Sequence, residues 1–167
     1  MIRVEVDKVI HRPIEEVFDR LVSISDYSKW LPKSRVFLDS IQTSNDPVGA
    51  GTTFIDKTRI GKFQGEVIEF QRPTKVTFKM NLRWLGLRVL ESKPGYTLEP
   101  VDDSTKVHLL AVGKLYGFFK LMQPYVALRA REERKRVVEV LKKSLERPPS
   151  QSRFARQDNS LGAPLDR

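Results

Sequence analysis

A few polar side chains interrupt segments that are otherwise strand-like and apolar, and they are the residues best suited to chemistry. Asp56 and Thr58 share the strand face of Phe54, because side chains two positions apart point the same way. A carboxylate buried on an apolar face needs a partner, and Arg88 is a candidate for that role. With Tyr96 on a nearby strand, Asp56 and Arg88 could act as acid–base or positioning groups. The alternative is an exposed ion pair, since charged residues mostly stay at the surface.

The two histidines are weaker candidates for acid–base chemistry. His108 lies between Val107 and Leu109, so alternation along a strand points its imidazole outward, away from the apolar face. His11 precedes Pro13 at a strand end and reads as a loop residue. Because a catalytic base must first be within reach of its substrate, we expect both to be surface imidazoles.

Several other chemistries are excluded by composition. The chain has no cysteine and only two histidines, so disulfides and thiolate ligands are ruled out and no cluster has metal-ligand spacing. The glycines of VGAGT at 48–52 precede a strand and not a helix, which indicates a turn and not a phosphate-binding loop. No Ser-His-Asp arrangement can be placed. The sequence therefore predicts neither a metal nor any other cofactor.

The net charge is strongly positive, and its distribution along the chain bears on which partners it could attract. Lys and Arg number 30 against 21 Asp and Glu, a formal net charge of +9 that could attract nucleic acid or anionic lipid. Much of it falls in residues 129–143, where Glu132, Glu133 and Glu139 are interleaved. Mixed charges at helical spacing are typical of a solvated helix face. With no nucleic-acid-binding motif present, nucleic acid is not an expected partner, whereas transient contact with an anionic membrane stays open.

Hydrophobic patterning predicts the elements that would position these groups. A strand over 3–10 is followed by a short helix beginning at Pro13 and by a second short helix capped by Ser25 or Asp26. Closely spaced strands joined by tight turns then predict an antiparallel sheet. The further strands are expected over 36–43, 52–60, 63–70, 75–84 (with Trp84 as its last inward residue), 87–90 (resuming over 96–98 after Pro94-Gly95) and 106–112.

A long helix is predicted from about Gly117 to Arg147, with a kink or late start at Pro124. Beyond it, residues 148–167 form a basic, polar tail for which disorder is expected, so the domain is predicted to span 1–147. The chain begins without the apolar run of a signal peptide and has no stretch of about 18 apolar residues that could cross a membrane. A cytoplasmic protein is expected.

The fold class follows from one apolar sheet face that has to be covered. A helix of roughly 30 residues, about 45 Å long, is the one element long enough, and a curved sheet around a straight helix leaves an apolar gap. We therefore expect an α+β protein with a ligand cavity between sheet and helix, although the same side chains could simply fill the core. The expected cavity wall is Phe54, Val67, Phe78, Met80, Leu82, Leu98, Leu109, Phe119, Met122 and Val126.

The order of elements resembles the START-like helix-grip (SRPBCC) superfamily, and within it the polyketide cyclase/dehydrase and lipid transport family. The resemblance covers roughly residues 2–146. The segments that carry it are VEVDKVIHRPIEEVFDRLVSISDYSKWLP at 4–32, VGAGTTF at 48–54, GEVIEFQRPTKVTFK at 65–79 and VVEVLKKSLE at 137–146. It implies a helix-grip fold of about seven strands, but not one activity, since such families include binding proteins, transfer proteins, chaperone-like factors and some true cyclases.

Three functional hypotheses follow. The leading one is a non-catalytic carrier or sensor of a small hydrophobic molecule such as a lipid, polyketide, isoprenoid or quinone. The second is an aromatase/cyclase or dehydratase acting on a polyketide-like substrate through Asp56, Arg88 or Tyr96. The third is an interaction module whose basic helix contacts anionic membrane, nucleic-acid or ribosomal surfaces, which predicts steeply salt-dependent association.

Overall fold

The computed structural model describes residues 1–45 and 47–147, and it begins with a strand and three short helical segments. These are β1 (Ile2–Ile10), α1 (Ile14–Val22), a short 3-10 helix (Ile24–Asp26) and α2 (Tyr27–Trp30). In α1, two glutamates in the first turn favour the positive end of the helix dipole, and Val17, Phe18 and Leu21 form the buried stripe. The predicted pair of short helices after the first strand is confirmed.

A single antiparallel sheet of seven strands forms the body of the protein. The strands after β1 are β2 (Phe37–Gln42), β3 (Thr53–Thr58), β4 (Gly61–Gln71), β5 (Lys75–Trp84), β6 (Leu87–Val101) and β7 (Ser104–Leu115). Their order in the sheet is β1-β7-β6-β5-β4-β3-β2, so the first and last strands in the sequence lie side by side. The strands from β3 to β7 are joined by turns of two or three residues, whereas a longer segment links β2 to β3. The sheet curls around the C-terminal helix, and this helix-grip arrangement is the fold class that the sequence predicts.

Two details of the sheet differ from the prediction. β6 runs through Pro94 without a break, because Pro94 keeps its place opposite Ala111 of β7 while β5 pairs with Ser92 and Gly95 on either side. The missing N–H of the proline therefore does not end the strand. Trp84, predicted to face inward, is 61% exposed, because the β5–β6 register shifts just before the hairpin.

The long helix α3 spans Gln123–Glu146 and is preceded by a 3-10 helix over Gly117–Met122. The late start predicted at Pro124 is confirmed, since this proline lies in the first turn of α3. Among the described residues of α3, the buried ones are Val138, Leu141 and Leu145, all in its C-terminal half. The helix is therefore held tightly at one end of the sheet only.

The tightly held end is here called the closed end. The Arg12 side chain donates to the carbonyl of Leu145 (2.9 Å), the His11 amide donates to Glu146 Oε1 (2.7 Å), and the Thr105 hydroxyl donates to the carbonyl of Arg12 (2.8 Å). The opposite end, where β1 begins and α3 starts, is the open end. The tail over 148–167 lies outside the described residues, and the domain boundary at 147 stays a prediction.

Candidate ligand-binding cavity

A cavity of about 320 Å³ lies between the sheet and the N-terminal half of α3, toward the open end. Its wall is built by inward side chains of β1, β3, β5 and β6, by α2, and by residues 125–137 of α3. The volume is within the range of small-molecule sites. Two wall residues, Ile60 and Tyr125, are more than half exposed, so the cavity communicates with solvent at the open end.

Three aromatic rings, from β3, β5 and β6, form one side of this wall. Phe54 and Phe78 meet edge to face with centroids 5.7 Å apart, and Phe78 and Tyr96 do the same at 6.3 Å. Edge-to-face pairs are favourable beyond their buried area. The rings consequently hold one another in position and give the cavity a firm apolar side.

The position of the Phe54 ring depends on a missing side chain. Gly65 lies opposite Phe54 in the β3–β4 ladder, and a Cβ placed on Gly65 would come within 2.2 Å of the ring. That distance is far below any van der Waals contact. The glycine thus provides the space into which the ring packs.

Asp56 supplies a carboxyl group to this otherwise apolar wall. It is 9% exposed and accepts a hydrogen bond from the hydroxyl of buried Ser40 at 2.5 Å. Burial raises the pKa of Asp56 to about 6, while the Ser40 hydrogen bond and the positive charge of Arg134 act in the opposite direction. A substantial fraction of Asp56 is therefore protonated just below neutral pH and able to donate as well as accept.

Arg134, on the inward face of α3, is the basic residue of this cluster. It lies on the cavity wall, donates to Ser92 Oγ at 3.5 Å, and forms no salt bridge with the described part of the chain. Burial raises the pKa of Tyr96, whereas the charge and hydrogen bonding of Arg134 lower it. The guanidinium thus faces a phenol and a carboxyl group with donor capacity to spare.

Arg88 does not partner Asp56, which corrects the sequence-based expectation. Its guanidinium bonds Glu91 Oε2 at 3.2 Å and stacks over the ring of Tyr116 at 5.5 Å, outside the cavity wall. The reason is the register shift in the β5–β6 hairpin, which turns this end of β6 away from the helix. Asp56 is not an exposed ion pair either, since Arg134 is the base whose charge reaches it.

Two further polar groups belong to the α2 side of the wall. Tyr27 donates its hydroxyl to the carbonyl of Leu21 at 2.5 Å, and burial raises the pKa of its phenol well above the usual range. The indole N–H of Trp30 is buried and has no hydrogen-bond partner among the described residues. A buried donor without a partner is costly, so Trp30 has an unused donor next to the cavity.

The wall expected from the sequence is only partly the wall observed. The structure brings together Phe54, Phe78, Met80 and Val126 around the cavity, with Asp56 and Tyr96, and Thr58 also lines it. Val67, Leu98 and Leu109 face the same side of the sheet but are fully buried in the core. Leu82 is buried away from the cavity, and Phe119 and Met122 lie on the 3-10 helix outside it.

The histidines lie on the outer surface. His108 Nδ1 is 2.9 Å from Asp7 Oδ1 across the β1–β7 pair, with its ring facing outward as predicted. His11 Nδ1 is 3.0 Å from Ser104 Oγ at the closed end. Within residues 1–45 and 47–147, no three His, Asp or Glu side chains are grouped as metal ligands.

Sequence reasoning found only Val126 on the helix side of the cavity and missed the other residues there. Val126, Ala130, Arg134 and Val137 line it from α3, and their spacing of four, four and three residues is that of one helix face. That spacing was the available signal, but Arg134 stands in a run of charged residues that was assigned to solvent. Ser40, Tyr27 and Trp30 carried no signal of their own.

A curved sheet that grips a terminal helix around an apolar cavity defines a START-like helix-grip protein. The chain belongs to the polyketide cyclase/dehydrase and lipid transport family, whose profile matches residues 1–146. The resemblance drawn from the sequence is thereby confirmed. No curated protein sequence matches the chain significantly.

Solved structures with low sequence identity share the fold. Protein jhp0584 from Helicobacter pylori has a TM-score of 0.71 at 14% identity, covering 86% of this chain and 87% of its own. A START superfamily protein from Mycobacterium smegmatis has a TM-score of 0.68 at 13% identity, covering 87% and 98%. Protein MLL2253 from Mesorhizobium loti has a TM-score of 0.63 at 18% identity, covering 84% and 94%. At such identities the likeness concerns the fold alone.

Proposed function

We propose that the protein binds and carries one small hydrophobic molecule, such as a lipid, polyketide, isoprenoid or quinone, inside the cavity. The observation that carries this proposal is the apolar, aromatic-lined space of about 320 Å³ between the sheet and the N-terminal half of α3. Pockets of this kind gain affinity from apolar burial and orientation from a few polar groups. Membership of a family that includes lipid transport agrees with a carrier.

The polar cluster on the wall supports a ligand with one polar end. Arg134 has no salt-bridge partner among the described residues, and Asp56 and Tyr96 lie within reach of its charge. A carbonyl, hydroxyl or carboxylate at this point would satisfy the guanidinium, while the rest of the molecule lies against Phe54 and Phe78. The ligand would then be held in one orientation.

Filling the cavity tests the carrier directly. Met80→Trp adds a large side chain at a wall position, and we expect it to abolish uptake of the neutral fluorophore N-phenylnaphthylamine while the circular dichroism spectrum is retained. Lys79→Trp is the matched control, because it adds the same side chain to the outer face of the same strand and should leave uptake unchanged. Equal uptake by the two variants would contradict the assignment of this cavity.

A second candidate function, cyclase or dehydratase chemistry on a polyketide-like substrate, is favoured by Asp56. A buried carboxyl with a pKa of about 6 is suited to proton transfer near neutral pH, and Tyr96 lies on the same cavity wall. Asp56→Asn and Tyr96→Phe should then abolish turnover but not ligand binding. Arg88→Ala, outside the wall, is the internal control and should keep full turnover.

The carrier would exchange its ligand with a membrane. We therefore include transient contact with anionic bilayers in the proposal and do not propose a nucleic-acid partner. Native mass spectrometry of the protein purified from its own cell, with extraction of any bound molecule, would identify the ligand.

A further inference from the structure

Several turns and the start of the long helix meet at the open end of the sheet. β4 and β5 run antiparallel with Phe63 opposite Leu82, so the β3–β4 turn at Ile60 lies beside the β5–β6 hairpin at 84–87. The 3-10 helix over 117–122 joins them, since its Phe119 ring packs edge to face on Trp84 with centroids 6.1 Å apart. These segments form one continuous surface around the cavity mouth.

That surface is unusually apolar for a protein exterior. Leu85 is 83% exposed and Phe118 is 76% exposed, and Trp84, Leu87 and Leu121 are each more than 60% exposed. Single exposed apolar residues are ordinary, but a contiguous group marks an interaction site. These five residues are here called the apolar tip.

Leu85 adopts a backbone conformation that is unfavourable for leucine. It has φ +48° and is followed by Gly86 with φ +79°, a hairpin turn for which Asn-Gly is the favoured sequence. A leucine is sterically disfavoured in this left-handed conformation, and its side chain is 83% exposed, so burial within the protein offers little compensation. Folding therefore does not account for a leucine here, whereas contact with an outside apolar phase does.

The exposed charges around the apolar tip are mostly positive, although Arg88 is paired with Glu91 at 3.2 Å. Asp and Glu are absent from residues 57–65, 70–90 and 104–131, which include the segments of the open end. Arg83, Arg88, Lys114 and Lys120 surround the tip and are exposed. The corresponding hairpin at the other end of the sheet, between β6 and β7, carries Asp102-Asp103 instead.

We propose that the apolar tip docks the protein onto anionic phospholipid bilayers, with the tip residues inserted between headgroups and the surrounding cations against phosphates. Aromatic residues and leucines at the interface, combined with Lys and Arg, are the usual composition of a peripheral membrane contact. This inference deepens the proposed carrier function, because Ile60 and Tyr125 belong to both the cavity wall and the open end. Docking would turn the cavity mouth toward the lipid.

The basic helix is a weaker docking surface than its composition indicates. Arg136 pairs with Glu133 at 2.7 Å, and Arg129 pairs with Glu132 at 2.9 Å. Lys142 bonds the carbonyl of Val9 at 2.7 Å and Glu146 at 3.2 Å. Much of its positive charge is therefore neutralised by the protein itself.

The test is co-sedimentation of the full chain with vesicles of phosphatidylcholine and phosphatidylglycerol in equal parts. The variant Leu85→Asn with Leu87→Thr removes two tip residues and introduces the residues that a tight turn and a strand prefer. We expect vesicle affinity to fall at least about tenfold and the midpoint of urea unfolding to stay the same or rise. Val101→Ser, which removes an exposed apolar residue at the opposite hairpin, is the control and should bind like the parent.

Fluorescence gives a second measurement of insertion. Of the two tryptophans, Trp30 is buried and Trp84 is exposed, so Trp30→Phe leaves Trp84 as the reporter. Its emission should shift to the blue on adding anionic vesicles and be quenched by brominated lipid. An unshifted emission with bound vesicles would overturn insertion of the tip.

The remaining outcomes separate this inference from its competitors. The double variant Arg83→Glu, Lys120→Glu should weaken vesicle binding at least about tenfold. Its control, Lys106→Glu at the closed end, should bind like the parent. If the parent binds purely neutral vesicles equally well, the role of charge is overturned. The proposal would also be overturned if the parent protein is a dimer that does not bind vesicles, and if the Leu85→Asn, Leu87→Thr variant is a monomer. The apolar tip would then be the contact with a second copy of the chain. Met80→Trp should lose fluorophore uptake but keep vesicle binding, so a failed docking test and a failed carrier test are distinguishable.

Discussion

The two halves of α3 lie against one sheet but in opposite environments. The C-terminal half buries Val138, Leu141 and Leu145 at the closed end, where the polar groups of residues 11, 12 and 105 find partners. The N-terminal half borders a cavity, and the open end around it exposes apolar side chains together with basic ones. The closed end therefore buries more of the helix, whereas the open end leaves a cavity and exposed apolar side chains that add little to stability.

The difference between the two halves of α3 is tested most directly by replacing one leucine with alanine in each half. Leu141→Ala should lower the free energy of unfolding by about 2–5 kcal/mol, because Leu141 is fully buried. Leu128→Ala, in the half-exposed first part of the same helix, should change it by about 0.5 kcal/mol or less. Urea denaturation of both variants is the measurement. Similar losses would mean that stability is spread evenly along the helix.

Asp56 gives a pH-dependent contrast between the ends. Its pKa is raised to about 6 in the folded protein, above the unfolded value near 4. Asp56 therefore stays protonated to a higher pH in the folded state than in the unfolded state. The contribution of Asp56 to stability therefore falls as pH rises from about 4 to about 6, by roughly 2–3 kcal/mol at most, and stays low above that.

Asp56→Asn removes this ionisation and keeps an acceptor for Ser40. Relative to the parent, the variant should be more stable at about pH 8 and equally stable at about pH 4. Thr105→Val at the closed end, which removes a hydroxyl bonded to the Arg12 carbonyl, should lower stability equally at both pH values. A pH-independent difference for Asp56→Asn would show that this carboxyl is solvated.

The smallest effect is expected for ion pairs at the closed end. Lys8 Nζ and Glu139 Oε2 are 2.7 Å apart, with both side chains about a third or more exposed. A double-mutant cycle with Lys8→Ala and Glu139→Ala should give a coupling of about 0–1 kcal/mol, decreasing in high salt. A larger, salt-insensitive coupling would mean that charge pairing, and not apolar burial, holds this end together.

The sequence predicted the helices and strands well, but it did not predict which part of each one lines the cavity. Alternation correctly assigned Val67, Leu98 and Leu109 to the inner face of the sheet, but not whether the helix or the cavity covers that face at each point. Pairing across strands also depends on local irregularities: the shift between Leu82 and Arg83 separated Arg88 from Asp56. Such shifts have no signature in one sequence.

The helix face shows a different limit. Val126, Ala130 and Val137 have inward spacing, but the charged residues between them, Arg134 included, were assigned to a solvated helix face. A long arginine side chain can lie along an apolar wall with its charged end at a polar partner, and for this reason Arg134 belongs to the cavity despite its neighbours. The residues of the apolar tip were likewise interpreted as ordinary strand, turn and helix residues.

Gly65 determines the capacity of a cavity that it does not line. Any side chain at this position would displace the Phe54 ring, and the free space beside that ring is the cavity that it lines. A methyl group on residue 65 would therefore move the Phe54 ring into the cavity and reduce the space left for a bound molecule. Related proteins with a bulkier residue here would accept shorter molecules even if every wall residue were the same.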